Sequence, residues 1–132
     1  MIAVDASALI AIALVEPEEG AFLDVLLRSD GGLIAPINYV EVGVILRQRR
    51  FLETRAQLDA WLEAHKVEVD ERQPLASLAL DAYHRFGKGL HPARLNLADC
   101  FAYALAKALD APLLYKGDDF AKTDIRSALQ PM

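Results

Sequence analysis

Asp5, Glu41, Asp99 and Asp118 are the residues whose types and placement could do chemistry. Asp5 closes the apolar run Ile2-Ala3-Val4, and Asp118 follows Leu113-Leu114-Tyr115-Lys116-Gly117. Glu41 and Asp99 fall in the first turns of helices expected to begin near Asn38 and Asn96. If the apolar runs are strands of a parallel sheet, all four acids stand at its carboxyl edge, where such folds place their ligand crevice. Carboxylates gathered there repel one another unless they share a proton or a cation. A divalent ion of the Mg2+ or Mn2+ type, which prefers oxygen ligands, is the economical partner. A centre of that kind points to phosphate chemistry.

Each acid also has a purely structural account. Asn38-x-x-Glu41 fits a capping box, in which the glutamate reaches back to the N-cap amide, and Asn96-x-x-Asp99 is a weaker version. Asp5 fits the cap of a helix beginning near Ser7. Asp118 and Asp119 both suit the turn Lys116-Gly117-Asp118-Asp119 and compete for the fourth place; Asp118 is preferred because it lies closer to the strand. Singly, Glu41 and Asp99 read as caps. Four acids at the same end of four elements form a candidate site. Asp124 reads as a surface or capping residue, and His84 and His91 lack the neighbours a zinc site needs. Gly87-x-Gly89 does not follow a strand, so it is not a phosphate loop.

The elements that must position these acids can be read from composition and period. The 132 residues, 54% hydrophobic and 25% charged, suit one folded domain spanning residues 1–132. The longest apolar run near the N-terminus, residues 8–15, is far short of the ~20 residues that cross a bilayer, and Asp5 interrupts a signal-peptide pattern. The lone Cys100 allows no internal disulfide, falls on an apolar helix face, and suits a reducing cytoplasm. The net charge of −5 counts against a dedicated nucleic-acid binder. Local basic groups, Arg47, Arg49 and Arg50 at one helix end and Lys88, His91 and Arg94 in a loop, leave room for backbone contacts.

Short β-type runs at 2–5, 33–36, 67–69 and 113–115 alternate with helical stretches at 7–15, 17–28, 38–50, after Thr54, 74–86 and 97–109. The fold class is therefore α/β, a small parallel sheet of about four or five strands flanked by helices. Two helices separate successive strands where a simple doubly wound fold has one. Leu97, Cys100, Phe101, Ala104, Leu105, Ala108 and Leu109 make the inner stripe of the last helix. Residues 87–96 have no period; a long climb across the domain would bring Asp99 to the same edge as Asp5. The helix at 17–28 carries Phe22, Leu23, Leu26 and Leu27, enough apolar surface for a partner as well as a core.

Val4-Asp5-Ala6-Ser7-Ala8-Leu9, Asn38-Tyr39-Val40-Glu41, Leu95-Asn96-Leu97-Ala98-Asp99-Cys100-Phe101 and Gly117-Asp118-Asp119-Phe120 together resemble the motifs of PIN-domain ribonucleases, and more narrowly of VapC toxins. The likeness covers nearly the whole chain. It implies a PIN-like fold, a metal-dependent endoribonuclease, and a toxin of a VapBC-type toxin–antitoxin module. By the same likeness Asp5, Glu41, Asp99 and Asp118 would hold Mg2+ or Mn2+, with Ser7 in support and Asp119 adjacent to the least fixed position. A cognate VapB-type antitoxin, an RNA substrate, a homodimer and higher assembly with the antitoxin are implied with it.

Two rival classes make different demands. A phosphoacceptor signalling domain would use Lys116 at the pocket and paired acids after the first strand, yet Ala6 follows Asp5. A degenerate PIN domain that only binds protein would not need all four acids.

Overall fold

Four short strands, β1 (Ile2–Val4), β2 (Gly32–Ile34), β3 (Val67–Val69) and β4 (Leu113–Leu114), pair in parallel in the order β3-β2-β1-β4. The computed structural model describes residues 1–129. Two helices join each successive pair of strands. They are α1 (Ala6–Ala13) and α2 (Glu19–Arg28), then α3 (Pro36–Gln48) and α4 (Arg55–Ala64), then α5 (Ala76–Phe86) and α6 (Leu97–Leu109). The α/β class and the doubled helices are as the sequence predicts, with four strands.

Side chains alternate across a strand, and here both faces are covered. Ile2, Val4, Ile34 and Leu114 join α1 to α4 in one apolar cluster around Leu9, Phe22, Val42, Leu46, Leu58 and Leu62. Ala3, Leu33 and Leu113 face the other cluster, where α5 and α6 supply Ala79, Phe86, Cys100, Tyr103 and Leu105. Connections on the α1–α4 side run from β1 out to β3. The α5–α6 connection runs back past β1 on the opposite face, as crossovers of one hand require. The direction of winding therefore switches between β1 and β4, and the crevice of an open α/β sheet opens at such a point.

Local chemistry sets the boundaries. Thr54 caps α4 in a full capping box with Gln57. Gly31, at φ +89°, turns the chain into β2 where a Cβ would run into the Lys66 carbonyl. α3 begins two residues earlier than expected. Pro36 occupies its first turn and Ala35 its N-cap, so Asn38 is inside the helix and Asn38-x-x-Glu41 is not a capping box.

Three further expectations fail. The 87–96 segment makes no long climb: Leu95 N donates to Phe86 O at 3.0 Å and Lys88 N to Leu95 O at 2.9 Å, so the loop closes on itself and α6 starts beside the end of α5. Leu97 is 67% exposed, at the rim of a groove it lines with α5 residues Leu80 and Tyr83, and so stands outside the inner stripe. Phe22 is wholly buried, and Leu27, at 71% exposed, is the residue α2 presents to solvent.

Candidate functional site

Asp5 stands at the carboxyl end of β1, at the winding switch. Its backbone N–H continues the sheet by donating to Leu114 O at 2.9 Å, and its side chain caps α1, Oδ2 accepting from Ser7 N at 3.0 Å. The other oxygen, Oδ1, is buried and has no hydrogen-bond partner. Burial, which penalises the charged form, pushes the carboxyl up to about 7. The Ser7 hydrogen bonds oppose the rise, and the charges of Asp99 and Glu41 add to it. Ser7 also closes the switch, its hydroxyl oxygen accepting from Lys116 N at 3.0 Å.

Asp99 approaches from α6, where the expected capping box with Asn96 is complete. Asp99 N donates to Asn96 Oδ1 at 2.8 Å and Asp99 Oδ2 accepts from Asn96 N at 3.0 Å. Partial burial raises this carboxyl to about 6, opposed by the Asn96 amide and increased by Glu41 and Asp119. Glu41 sits in the second turn of α3, half-buried, its Oε1 accepting from Asn38 Nδ2 at 3.3 Å. Asp5 and Asp99 are caps, and each cap engages one carboxylate oxygen and leaves the second for another partner.

The two acids that compete for the fourth place differ in their surroundings. Both Asp118 and Asp119 are exposed, but Asp119, at the start of the short 3₁₀ turn Phe120–Lys122, is the one whose charge reaches Asp99. Asp70, also buried at a strand end, is a turn residue: its Oδ1 accepts from the Arg72 and Gln73 amides. Asp124 is a clamp rather than a loose surface group. Burial would raise its carboxyl, yet bonds from Tyr103 OH at 2.5 Å and Lys107 Nζ at 2.9 Å hold it below the usual range. Lys116 turns away from the acids to Glu16 Oε1 at 2.7 Å and Glu18 Oε1 at 3.5 Å, which removes the lysine a phosphoacceptor pocket requires.

Asn38 escaped sequence reasoning as anything more than a cap. It is wholly buried, and its Nδ2 bridges Glu41 to Ala98 O, 3.1 Å away in the first turn of α6. The available signal was Ala35-Pro36, which moves the helix start upstream and turns Asn38 inward.

The donor set suits a hard cation, since all its side chains offer carboxylate oxygen. Among the described residues no three His, Cys, Asp or Glu side chains already stand close enough to enclose an ion. The orphaned, buried Asp5 Oδ1 is the observation that asks for a cation or a proton.

Comparison with known proteins identifies the family. The PIN domain profile matches residues 2–126. Ribonuclease VapC28 of Mycobacterium tuberculosis is 41% identical over 130 residues, covering 96% of each chain. Ribonuclease VapC42 of the same species is 39% identical over 127 residues, 95% of this chain and 97% of the other. Ribonuclease VapC of Mycolicibacterium smegmatis is 40% identical over 129 residues, 92% of this chain and 95% of its own.

Proposed function

Because the chain belongs to the PIN domain family, among the VapC ribonucleases, we propose that it is the toxin of a VapBC-type module, an endoribonuclease that hydrolyses RNA phosphodiester bonds with Mg2+ or Mn2+. The match over residues 2–126 supports treating the 132 residues as one catalytic domain. Asp5 and Asp99 hold the cation through the oxygens their caps leave free, Glu41 assists, and Asp119 takes the fourth place ahead of Asp118. The cation supplies water activation and neutralises charge on the attacked phosphate.

The chain's own residues do the rest. The Ser7 amide fixes Asp5 Oδ2, and the Asn96 amide fixes Asp99 Oδ2, so both carboxylates enter the reaction already oriented. A carboxyl held near neutrality, as Asp5 is, can keep a proton while the pocket is empty and release it when a cation arrives. Glu41 shows a carboxylate to the same space and can accept a proton from water. The exposed Lys88 and Arg94, in the loop before α6, are placed to contact RNA backbone, which positions the strand without reading its bases.

The partners follow the same reading. A cognate VapB-type antitoxin covers the crevice and reaches the carboxylates with a basic side chain, for which arginine offers bidentate pairing. Leu27 and the half-buried Leu23 offer it an apolar footing on α2. A second copy of the chain suits the exposed Leu80 and Leu97 between α5 and α6. No described helix is long and apolar enough to cross a membrane, and an RNA substrate places the work in the cytoplasm.

The buried, unpartnered Asp5 Oδ1 beside two other acids carries this reading. Its test is cleavage of total RNA by the chelator-treated protein with Mg2+ or Mn2+ restored. Cleavage that returns only with the cation, and is lost in Asp5→Asn, supports it; cleavage indifferent to chelation or to the variant overturns it.

A further inference from the structure

A wholly buried asparagine inside the first turn of α3 is a poor choice for packing alone. Asn38 lies deeper than the rest of that turn and has weak helix propensity. Both partners of its Nδ2, Glu41 Oε1 and Ala98 O, are acceptors, so the amide nitrogen must face them and Oδ1 must point elsewhere. That Oδ1 is buried without a partner. An apolar side chain of the same shape would avoid the orphan, so the amide is kept for what its nitrogen does.

Its nitrogen joins two elements that carry acids. One hydrogen goes to Glu41 on α3 and the other to the residue immediately before Asp99 on α6. Glu41 is a like charge close enough to raise the Asp99 carboxyl, and nothing in either helix alone sets their separation. Among the described residues, this is the side-chain hydrogen bond that crosses from α3 to the start of α6.

We propose that Asn38 is a positioning residue: its carboxamide fixes Glu41 relative to Asp99 so that both can serve one cation. The inference rests on the metal-dependent reading above. Removing outer groups that orient ligands costs about 10- to 100-fold in metal affinity.

The experiment is Mn2+ titration, followed by electron paramagnetic resonance, of the wild type, Asn38→Leu, Glu41→Gln and the double variant. Asn38→Leu should weaken Mn2+ at least about tenfold, while the metal-free melting temperature stays level or rises, because the orphaned acceptor is gone. In the Glu41→Gln background the same change should have little further effect, since the group it positions is already neutral. Wild-type affinity in Asn38→Leu, or a full second loss in the double variant, overturns the proposal. Should Asn38→Leu fail to fold, Asn38→Ser carries the test, with weakened Mn2+ binding expected and unchanged binding overturning it. Failure of the wild type to bind Mn2+ would instead sink the metal-dependent reading, and this inference with it.

Discussion

Asp5 shows how much one carboxyl can say when its two oxygens have different surroundings. Its folded pKa of about 7 exceeds the ordinary 3.8, so between those values the folded state binds more protons than the unfolded chain. Stability without metal should therefore fall as pH rises from about 4 to about 7, by at most roughly 4 kcal/mol from this group, at about 1.4 kcal/mol per unit. Asp99, raised to about 6, adds a decline in the same direction. Chemical denaturation at pH 5 and pH 8 in chelator checks this, and Asp5→Asn should flatten the slope, fold intact and cleavage abolished. Mn2+ should act with the opposite slope, raising the melting temperature more at pH 8 than at pH 5.5, because protons compete for the same oxygens. Equal metal stabilisation at both values would remove Asp5 from the ligand set. Asp119→Asn should weaken Mn2+ binding more than Asp118→Asn does; the reverse order would restore the neighbour nearer the strand. The sequence could not decide that pair, since two adjacent acids in one turn differ only in how the turn closes, and the 3₁₀ turn beginning at Phe120 has no periodic signal.

The helices divide into those that only build and those that also aim. Thr54 caps α4 through Gln57 and hydrogen-bonds to none of the candidate acids, so Thr54→Ala should cost about 1 kcal/mol of stability with cleavage unchanged. Asn96→Ala should cost a similar amount and also depress cleavage, because its cap is what holds Asp99. Thermal melts paired with an RNA assay separate the two, and equal activity in both variants would reduce Asn96 to a structural role. β3 and α6 were legible in the sequence to the residue, since each combines a clear period with a clean boundary. The start of α3 was not. Asn38 and Glu41 have the right types at the right spacing for a capping box, and only the proline before them shows that the helix is already under way. The loop from 87 to 96 was misread for a different reason. Its closure depends on backbone bonds between Leu95 and the end of α5, and backbone groups are the same in every residue.

At the scale of the molecule, the parallel sheet and its flanking helices were readable because short apolar runs and helix period each leave a mark in the sequence, whereas the strand order appears only in the structure. Which apolar residues remain outside was less readable. α2 illustrates this: Phe22 is sealed in the core while Leu27 faces solvent. Phe22→Asp should therefore unfold the protein, whereas Leu27→Asp should leave it folded and weaken its capture of the antitoxin. Circular dichroism and a pull-down with a cognate VapB-type antitoxin decide between them, and full antitoxin capture by Leu27→Asp would move the interface off α2.

The bond from Lys116 N to Ser7 Oγ spans 109 positions, and β1 lies between β2 and β4. Ribosomes deliver β1 and Asp5 well before β4, so the pocket around Asp5 has no second wall until β4 arrives. Order of synthesis and order of assembly run opposite ways. A chain not yet extended through β4 thus carries its first acid without a finished pocket, and the machinery translating it is not exposed to a working nuclease before that strand has been made.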